Sequence, residues 1–510
     1  MSSIIRSTRF LSNAAGHVNH VTLVIRNHSL FKTKLHETDQ FSIDLKTRNM
    51  AGKIFIFAVL IIASGHGHLE SSRDFNSSSE TDTSTSNENK FTGFLSNTYN
   101  FFNRVSNLFT DQNTSDNFSD EYKSGFSNED CHLTCDQLIT KYGYPVETHE
   151  IITEDGYILK MFRIPSDGPV VFLQHGLLGS ADDYLVAGPD NALAYVLAKD
   201  GYDVWLANSR GCKYSRNHTE LDPSEGAFWD FSWHELGYYD LPAMIDYTLN
   251  NTRQQKLKYI GHSQGTTAFW VLGSERPEYM EKIERMIALS PIAFTSHMKS
   301  PIIRFIAPTG GFIHSLAKSV GLYELASDNT MMALFRRIAC NGGQSAEIMC
   351  TNLLFLATGY NIEQLNITNL PVILSHVPSG ASAKQFAHYG QGIISGKFRK
   401  FDYGETEDLE RYGSSEPPDY DLSRVSPPVS LVYSDADWLC DARDVDSLHD
   451  KLPNVVDKHK VQSTNFNHMD YVFAKDVKRL IYEPLSKMLT RSYKEGYSYK
   501  YNVVPKQLQD

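Results

Sequence analysis

The chain has 510 residues, which allows about three domains of ordinary size, or fewer with long tails. Hydrophobic residues make up 41% of the chain and charged residues 21%, so the composition excludes a wholly disordered or fibrous protein. The net charge of −12 gives no support for nucleic-acid binding, which usually requires a basic surplus.

A short apolar run near the amino end has the layout of a secretory signal peptide. Residues 54–63 are all apolar, Lys53 precedes them, and small residues close the run. As a helix, ten residues rise only about 15 Å, half of a bilayer core, which disfavours a stable anchor. Met50 stands where an initiator is expected. We therefore predict an upstream extension over 1–49, absent from the mature protein, and a signal peptide over 50–65. A signal-anchor with a cytoplasmic tail is the alternative.

The next segment, residues 66–129, is rich in Ser, Thr and Asn and lacks apolar periodicity, which predicts a flexible, low-complexity segment. Glycosylation sequons support passage through the secretory pathway. They occur at Asn76, Asn113, Asn117, Asn217, Asn250 and Asn366.

Strand and helix patterns alternate from about residue 130. A capping box at Thr134–Gln137 predicts a helix that ends near Gly143. Apolar runs predict strands at Val170–Leu173, Val204–Leu206, Leu257–Ile260, Met286–Leu289 and Val429–Tyr433. Helical patterns lie between them at Asn191–Lys199, Leu241–Leu249 and Thr266–Leu272, with Asp240 as the expected N-cap of the second. The alternation predicts an α/β fold with a mostly parallel sheet and helices on both faces.

A long, irregular and partly helical insert interrupts this alternation. We predict a first core segment at 130–293, the insert at 294–421, a second core segment at 422–497 and a tail at 498–510.

The sharpest motif is Gly261-His262-Ser263-Gln264-Gly265, which follows a predicted strand and precedes a predicted helix. A nucleophile elbow requires this context, because the turn is so tight that the residues flanking the serine must lack side chains. The pattern predicts Ser263 as a nucleophile, with Gly261 and Gly265 permitting the turn.

A serine needs a base within hydrogen-bond reach, and on such a fold the chain order is serine, acid, histidine. His449 falls in a helical stretch and His459 enters a strand, whereas His468 lies in a loop between a strand and a helix. We therefore expect His468 to be the base.

The acid is expected after the strand Val429–Tyr433. Asp435, Asp437 and Asp441 are the candidates, but Asp441 is positioned as the N-cap of the next helix. Spacing alone leaves Asp435 and Asp437 open.

Backbone N–H groups should bind the oxyanion, one of them from the residue after the nucleophile, Gln264. The second should come from the glycine-bearing loop 174–179 after an early strand. His175 precedes the serine in the chain, so we expect it to order this loop rather than act as the base.

Several motifs together resemble the acid lipases, the α/β-hydrolase family that contains gastric and lysosomal acid lipase. The resemblance covers about residues 130–490 and rests on Thr153-Glu154-Asp155-Gly156-Tyr157, His175-Gly176-Leu177-Leu178, Asn208-Ser209-Arg210-Gly211, Phe228-Trp229-Asp230-Phe231-Ser232, Tyr239-Asp240-Leu241-Pro242-Ala243, the Gly261–Gly265 motif, Lys451-Leu452-Pro453-Asn454 and Asn467-His468-Met469-Asp470.

The resemblance implies Asp437 as the acid, Leu177 and Gln264 as oxyanion donors, and a largely helical cap with a lid at 294–421. The family's Asn-Gly-Gly-Asn-Asp turn is Tyr433-Ser434-Asp435-Ala436-Asp437 in this chain, so Asp435 is an additional acid beside the implied one.

The resemblance also implies a lid disulfide between Cys340 and Cys350. Cys212 and Cys440 are unusual for the family, and a bridge between them is a further hypothesis. Cys131 and Cys135 are a third pair whose bonding the sequence leaves open.

These patterns predict a secreted or lysosomal serine lipase that acts on neutral-lipid esters at a lipid–water interface. An esterase of small soluble esters and a non-enzymatic, yolk-type lipid-binding relative are the alternatives. We expect no cofactor, no metal, no nucleic-acid partner and no transmembrane anchor in the mature form.

Overall fold

The computed structural model describes residues 128–307, 323–325, 355 and 357–491, and the backbone alone of three amino-terminal strands. These strands, β1 (Arg9–Ser12), β2 (Val18–Val24) and β3 (Gln40–Asp44), form an antiparallel sheet in that order. The predicted signal peptide at 50–65, the Cys340–Cys350 pair and the tail at 498–510 lie outside the described residues, as does 66–129 except for its last two positions.

An eight-stranded sheet forms the centre of the carboxy-terminal part. Its strands are β4 (Glu147–Ile152), β5 (Ile158–Ile164), β6 (Val170–Gln174), β7 (Asp203–Ala207), β8 (Leu257–His262), β9 (Ile283–Leu289), β12 (Val429–Tyr433) and β13 (Val455–Lys460). The order across the sheet is β13-β12-β9-β8-β6-β7-β5-β4. The six strands from β13 to β7 are parallel, and the β4–β5 hairpin adds the antiparallel edge. The predicted mostly parallel sheet is confirmed.

Helices follow the strands as βα units require. They are α1 (Cys135–Lys141), α2 (Leu193–Lys199), α3 (Trp233–Glu235), α4 (Leu241–Thr252), α5 (Gln264–Glu275), α6 (Pro301–Ile306), α7 (Leu370–His376), α8 (Ala383–Ser395), α9 (Glu405–Tyr412), α10 (Ala442–His449), α11 (Asp470–Phe473) and α12 (Glu483–Thr490). In the part of the chain described here, no helix is both long and apolar enough to cross a bilayer.

Alternate residues of the central strands pack into two separate hydrophobic cores, one on each face of the sheet. In β6, Val170 and Phe172 belong to one core, whereas Val171 and Leu173 belong to the other. Helix α5 covers the first face with Phe269 and its neighbours. Because both faces of the sheet are covered, these strands are almost continuously apolar in sequence. Their positions could therefore be predicted from apolar runs.

An insertion, residues 290–428, separates β9 from β12. Its described part holds α6 to α9 and a two-stranded antiparallel ribbon of β10 (Glu324–Leu325) and β11 (Ala381–Ser382). The insertion therefore begins at the end of β9 and ends at the start of β12, and these two strands are neighbours in the sheet.

Asp240 directly precedes α4, the position predicted for an N-cap, but its backbone is already helical and its side chain makes no capping hydrogen bond, so the predicted capping role was wrong. The chain from α3 continues through a π-helical turn, Leu236–Asp240, directly into α4. The Asp240 carboxylate accepts hydrogen bonds from the Arg210 Nε (2.7 Å) and backbone N–H (3.0 Å). Arg210 also donates to Asp155 at 2.6 and 2.8 Å, and both Arg210 and Asp240 are buried.

The hypothesised Cys212–Cys440 bridge is wrong, because both of these thiols are free, and Cys131 and Cys135, whose bonding the sequence left open, form no disulfide with each other. Cys212 Sγ lies 3.6 Å from the side-chain oxygen of Asn208, and Cys440 Sγ lies 3.1 Å from the carbonyl oxygen of Pro291. Cys135 begins α1 and is buried in the core, and Cys131 packs against the same core.

We predict that Arg210→Met lowers the free energy of unfolding by about 3–5 kcal/mol, because it leaves two carboxylates without their buried partner. Arg479→Met is the matched control, since its ion pair with Asp476 is exposed and should cost about 0.5 kcal/mol or less. Urea unfolding of both variants measures the difference. Equal midpoints for the two variants would contradict the prediction.

Candidate active site

The turn between β8 and α5 holds Ser263 in a left-handed backbone conformation, with φ 52° and ψ −118°. Its flanking glycines leave no room for side chains. A Cβ on Gly265 would lie 2.3 Å from the carbonyl oxygen of Gln174, and one on Gly261 would lie 2.8 Å from the Gly265 carbonyl carbon. The predicted tight strand–turn–helix elbow is therefore present, and it projects Ser263 above the carboxyl edge of the sheet.

Ser263, His468 and Asp437 are in direct contact. The Ser263 Oγ lies 2.8 Å from His468 Nε2, and His468 Nδ1 lies 3.0 Å from each carboxylate oxygen of Asp437. All three side chains are at least 93% buried. This arrangement lets Nδ1 donate to the Asp437 carboxylate while Nε2 accepts the hydrogen bond of the Ser263 hydroxyl.

The histidine loop between β13 and α11 is fixed from two directions. The side-chain oxygen of Asn467 accepts hydrogen bonds from the backbone N–H groups of Met469 and Asp470. The backbone N–H of Asn467 in turn donates to the Asp470 carboxylate. The His468 N–H donates to the carbonyl of Thr358, in the insertion, at 3.2 Å. The same carbonyl accepts the N–H of Trp438 from the acid turn at 3.3 Å.

The three candidate acids occupy different positions. Asp437 is fully buried, and one of its oxygens accepts the N–H groups of Leu439 (2.9 Å) and Cys440 (3.0 Å). Asp435 instead pairs with Lys460 on the surface. Asp441 is the N-cap of α10, as predicted, and accepts the N–H of Arg443 at 3.0 Å.

The other late histidines stand apart from these contacts. His449, the last residue of α10, contacts its neighbour Asp450, and His459 belongs to β13 as expected.

Ser290 is a member of the site that the sequence interpretation missed. It is the first residue after β9, and its Oγ lies 2.7 Å from Asp437 Oδ2 and 3.0 Å from His468 Nδ1. The sequence does show a polar residue immediately after a buried strand. That pattern places Ser290 beside the acid only once it is known that β9 lies between β8 and β12.

The loop after β6 lies against the nucleophile. It turns at Gly176–Gly179, where Gly179 N–H donates to the Gly176 carbonyl at 3.1 Å, and a Cβ on Gly176 would lie 3.0 Å from Ser263 Cβ. Leu177 is in this turn. Gln264 is the first residue of α5, where a backbone N–H has no acceptor within the helix.

His175 orders this loop, as expected. Its Nε2 accepts the N–H of Ser209 at 3.1 Å, and its Nδ1 donates to the Gly176 carbonyl at 2.8 Å. Burial lowers the pKa of His175 to about 4 and that of His262 to about 3. Both imidazoles are therefore neutral at ordinary pH, and His262, whose ring lies 5.1 Å from that of His468, adds no positive charge beside it.

The three described sequons differ in exposure. Asn217 and Asn250 are exposed, whereas Asn366 is half-buried and accepts the N–H of Asn369 at 3.2 Å.

Comparison with known proteins gives two family matches. Residues 169–474 match the family described as the alpha/beta hydrolase fold, and residues 135–188 match a partial alpha/beta-hydrolase lipase region. Lipase 1 of Drosophila melanogaster is 44% identical over 363 residues, which cover 71% of this chain and 80% of that protein. Gastric triacylglycerol lipase of Bos taurus is 37% identical over 378 residues, covering 72% and 94%, and that of Homo sapiens is 36% identical over 374 residues, covering 71% and 92%.

We predict that Gly265→Ala lowers kcat/KM for a soluble ester by about 100-fold or more, because the new Cβ forces the elbow away from Gln174 and misplaces the nucleophile. Gly404→Ala is the control: φ there is +91°, but a Cβ would meet nothing within 4 Å. It should cost about 1 kcal/mol of stability and leave kcat/KM unchanged. Wild-type kcat/KM in Gly265→Ala would refute the proposed role of the elbow.

Proposed function

This chain belongs to the acid lipase family of the α/β-hydrolase superfamily, and from that premise we propose that it hydrolyses carboxylic ester bonds of neutral lipids through an acyl-enzyme on Ser263. The 2.8 Å contact between Ser263 Oγ and His468 Nε2 carries this proposal. A serine hydroxyl at its ordinary pKa is a weak nucleophile, and an adjacent imidazole is the group that activates it.

In the first half-reaction, Ser263 Oγ attacks the ester carbonyl carbon while His468 Nε2 takes the hydroxyl proton. The carbonyl oxygen becomes an oxyanion. As the tetrahedral intermediate collapses, the bond to the alcohol oxygen breaks and His468 returns its proton to that oxygen. The alcohol leaves, and the acyl group remains on Ser263.

In the second half-reaction, water takes the place of the alcohol. His468 accepts a proton from the water as its oxygen attacks the acyl carbon, and then donates that proton to Ser263 Oγ. The products are a free carboxylic acid and the regenerated enzyme, so each cycle consumes one water and no cofactor.

Asp437 is proposed to hold the imidazole and to stabilise its charged form. Its carboxylate faces Nδ1 and is itself fixed by two backbone N–H groups. Asp435 has a surface lysine as its partner, which argues against a role as the acid.

Leu177 and Gln264 are proposed to donate their backbone N–H groups to the oxyanion. The close approach of the Gly176–Gly179 turn to Ser263 supports this pairing. Loss of one such donor typically costs about 3 kcal/mol of transition-state stabilisation.

The substrate is proposed to be a triacylglycerol, a cholesteryl ester or both, bound from a lipid–water interface. The relatives named gastric triacylglycerol lipase support the first. Hydrolysis of only small soluble esters is less favoured by these relatives, and a non-enzymatic, yolk-type role is disfavoured by the assembled Ser263–His468 contact.

The protein is proposed to enter the secretory pathway, as a secreted or lysosomal enzyme. The apolar run at 54–63 and the exposed sequons at Asn217 and Asn250 support this route. Removal of residues 1–65, glycosylation at Asn366, a Cys340–Cys350 bridge and a lid within 294–421 belong to the same proposal.

We predict that Ser263→Ala and His468→Ala each lower kcat on emulsified triacylglycerol by at least ~10⁴-fold, and that the double variant loses little more, because the groups act as a unit. Asp437→Asn should also be severe. Asp435→Asn is the matched control, with a mild effect because its carboxylate pairs outside the site.

Titration of released fatty acid, with circular dichroism to verify folding, measures these effects. A greater loss in Asp435→Asn than in Asp437→Asn would refute the acid assignment. Retention of most lipolysis in Ser263→Ala would refute the proposed function.

A further inference from the structure

Ser290 occupies a constrained position between the nucleophile and the acid. It is fully buried and has a left-handed backbone, with φ 53°. Its N–H donates to the carbonyl of Val432 in β12 at 2.9 Å, while the preceding residue, Leu289, accepts the N–H of Ser263 at 3.0 Å. The carboxyl end of β9 is thus bonded to the nucleophile turn on one side and, on the other, to the strand that leads into the acid turn.

The Asp437 carboxylate has a different set of donors on each oxygen. The N–H groups of Leu439 and Cys440 donate to Oδ1, and the Ser290 hydroxyl donates to Oδ2 at 2.7 Å. Among the described residues, the side chains that hydrogen-bond to Oδ2 are those of His468 and Ser290.

The chemistry of a hydroxyl fixes the direction of this bond. An ionised carboxylate can only accept, and a serine has one proton, so the Ser290 proton points to Oδ2. The hydroxyl oxygen then presents lone pairs to His468 Nδ1–H at 3.0 Å. One side chain therefore contacts both members of the acid–base pair.

We propose that Ser290 is a positioning residue of the catalytic network, which holds the Asp437 carboxylate against Nδ1 of the His468 ring. The inference rests on the proposed function and extends it by a fourth side chain. Ser290 contacts neither Ser263 Oγ nor, by the proposed mechanism, the substrate, so it acts through Asp437 and His468.

Loss of the hydroxyl removes two contacts at once. Asp437 Oδ2 loses a donor, and His468 Nδ1 loses the oxygen that faces it. The acid and the base therefore lose a support that they share, while Ser263 keeps its own contact with His468 Nε2.

Two variants separate the hydroxyl from the unusual backbone. Ser290→Ala removes the hydroxyl but retains a Cβ at a positive φ, whereas Ser290→Gly removes the hydroxyl and relieves that strain. We expect both to lower kcat for a soluble ester about tenfold, in the range of a hydrogen bond to a charged group, with KM changed by less than about twofold.

Ser430→Ala is the matched control. Ser430 is also a fully buried serine, in the neighbouring strand β12, and its Oγ donates to the Asp457 carboxylate at 3.1 Å rather than to a catalytic residue. The kcat and KM of Ser430→Ala should equal those of the wild type, even if its melting temperature falls.

Steady-state kinetics, with thermal melting of each variant, test the proposal. A wild-type kcat in Ser290→Ala, or a loss that appears in KM rather than in kcat, overturns it. Recovery of wild-type kcat in Ser290→Gly also overturns the proposal, because the loss in Ser290→Ala then comes from backbone strain. An equal loss of kcat in Ser430→Ala overturns it as well, because removal of any buried serine hydroxyl would then have the same effect. Equal activity of wild type and Ser263→Ala would instead refute the proposed function itself.

Discussion

The left-handed backbone at Ser263 is the constraint on which the rest of the catalytic edge depends. Such a conformation costs a non-glycine residue about 1–2 kcal/mol, so other contacts must hold it. The Ser263 N–H donates to Leu289 in β9, and the next residue, Ser290, donates its N–H to Val432 in β12. These two bonds join the ends of three parallel strands, and the distances among serine, histidine and acid follow from that spacing.

The insertion completes the site because it bonds to loops that the sheet alone would leave unsupported. The Thr358 carbonyl accepts N–H groups from both the acid turn and the histidine loop, and the Ser379 N–H donates to the carbonyl of Leu178 at 2.7 Å. Leu178 itself has a positive φ of 64° in the turn beside the nucleophile. The described part of the insertion thus bonds to the acid turn, to the histidine loop and to the Gly176–Gly179 turn, so its position affects all three.

Features set by local pattern could be predicted from the sequence, and features set by long-range contact could not. The strand Val429–Tyr433 has the predicted bounds, because buried parallel strands are apolar throughout. The elbow was predictable because its tight turn demands glycine on both sides of the serine. Asp240 was misread as a cap because its partner, Arg210, is 30 residues away. The roles of Ser290 and Thr358 could not be predicted. Ser290 reaches the acid only because β9 lies between β8 and β12, and Thr358 reaches both loops only because the insertion folds back onto the carboxyl edge of the sheet.

Covalent labelling with a fluorophosphonate tests the central claim most directly, because such a reagent reacts with a serine only where a base activates it. Peptide mapping should find one adduct, on Ser263, formed in step with the loss of ester hydrolysis, and labelling should be slowed strongly in His468→Ala. An adduct on another residue in step with inactivation, or continued hydrolysis by protein fully modified at Ser263, would contradict the account.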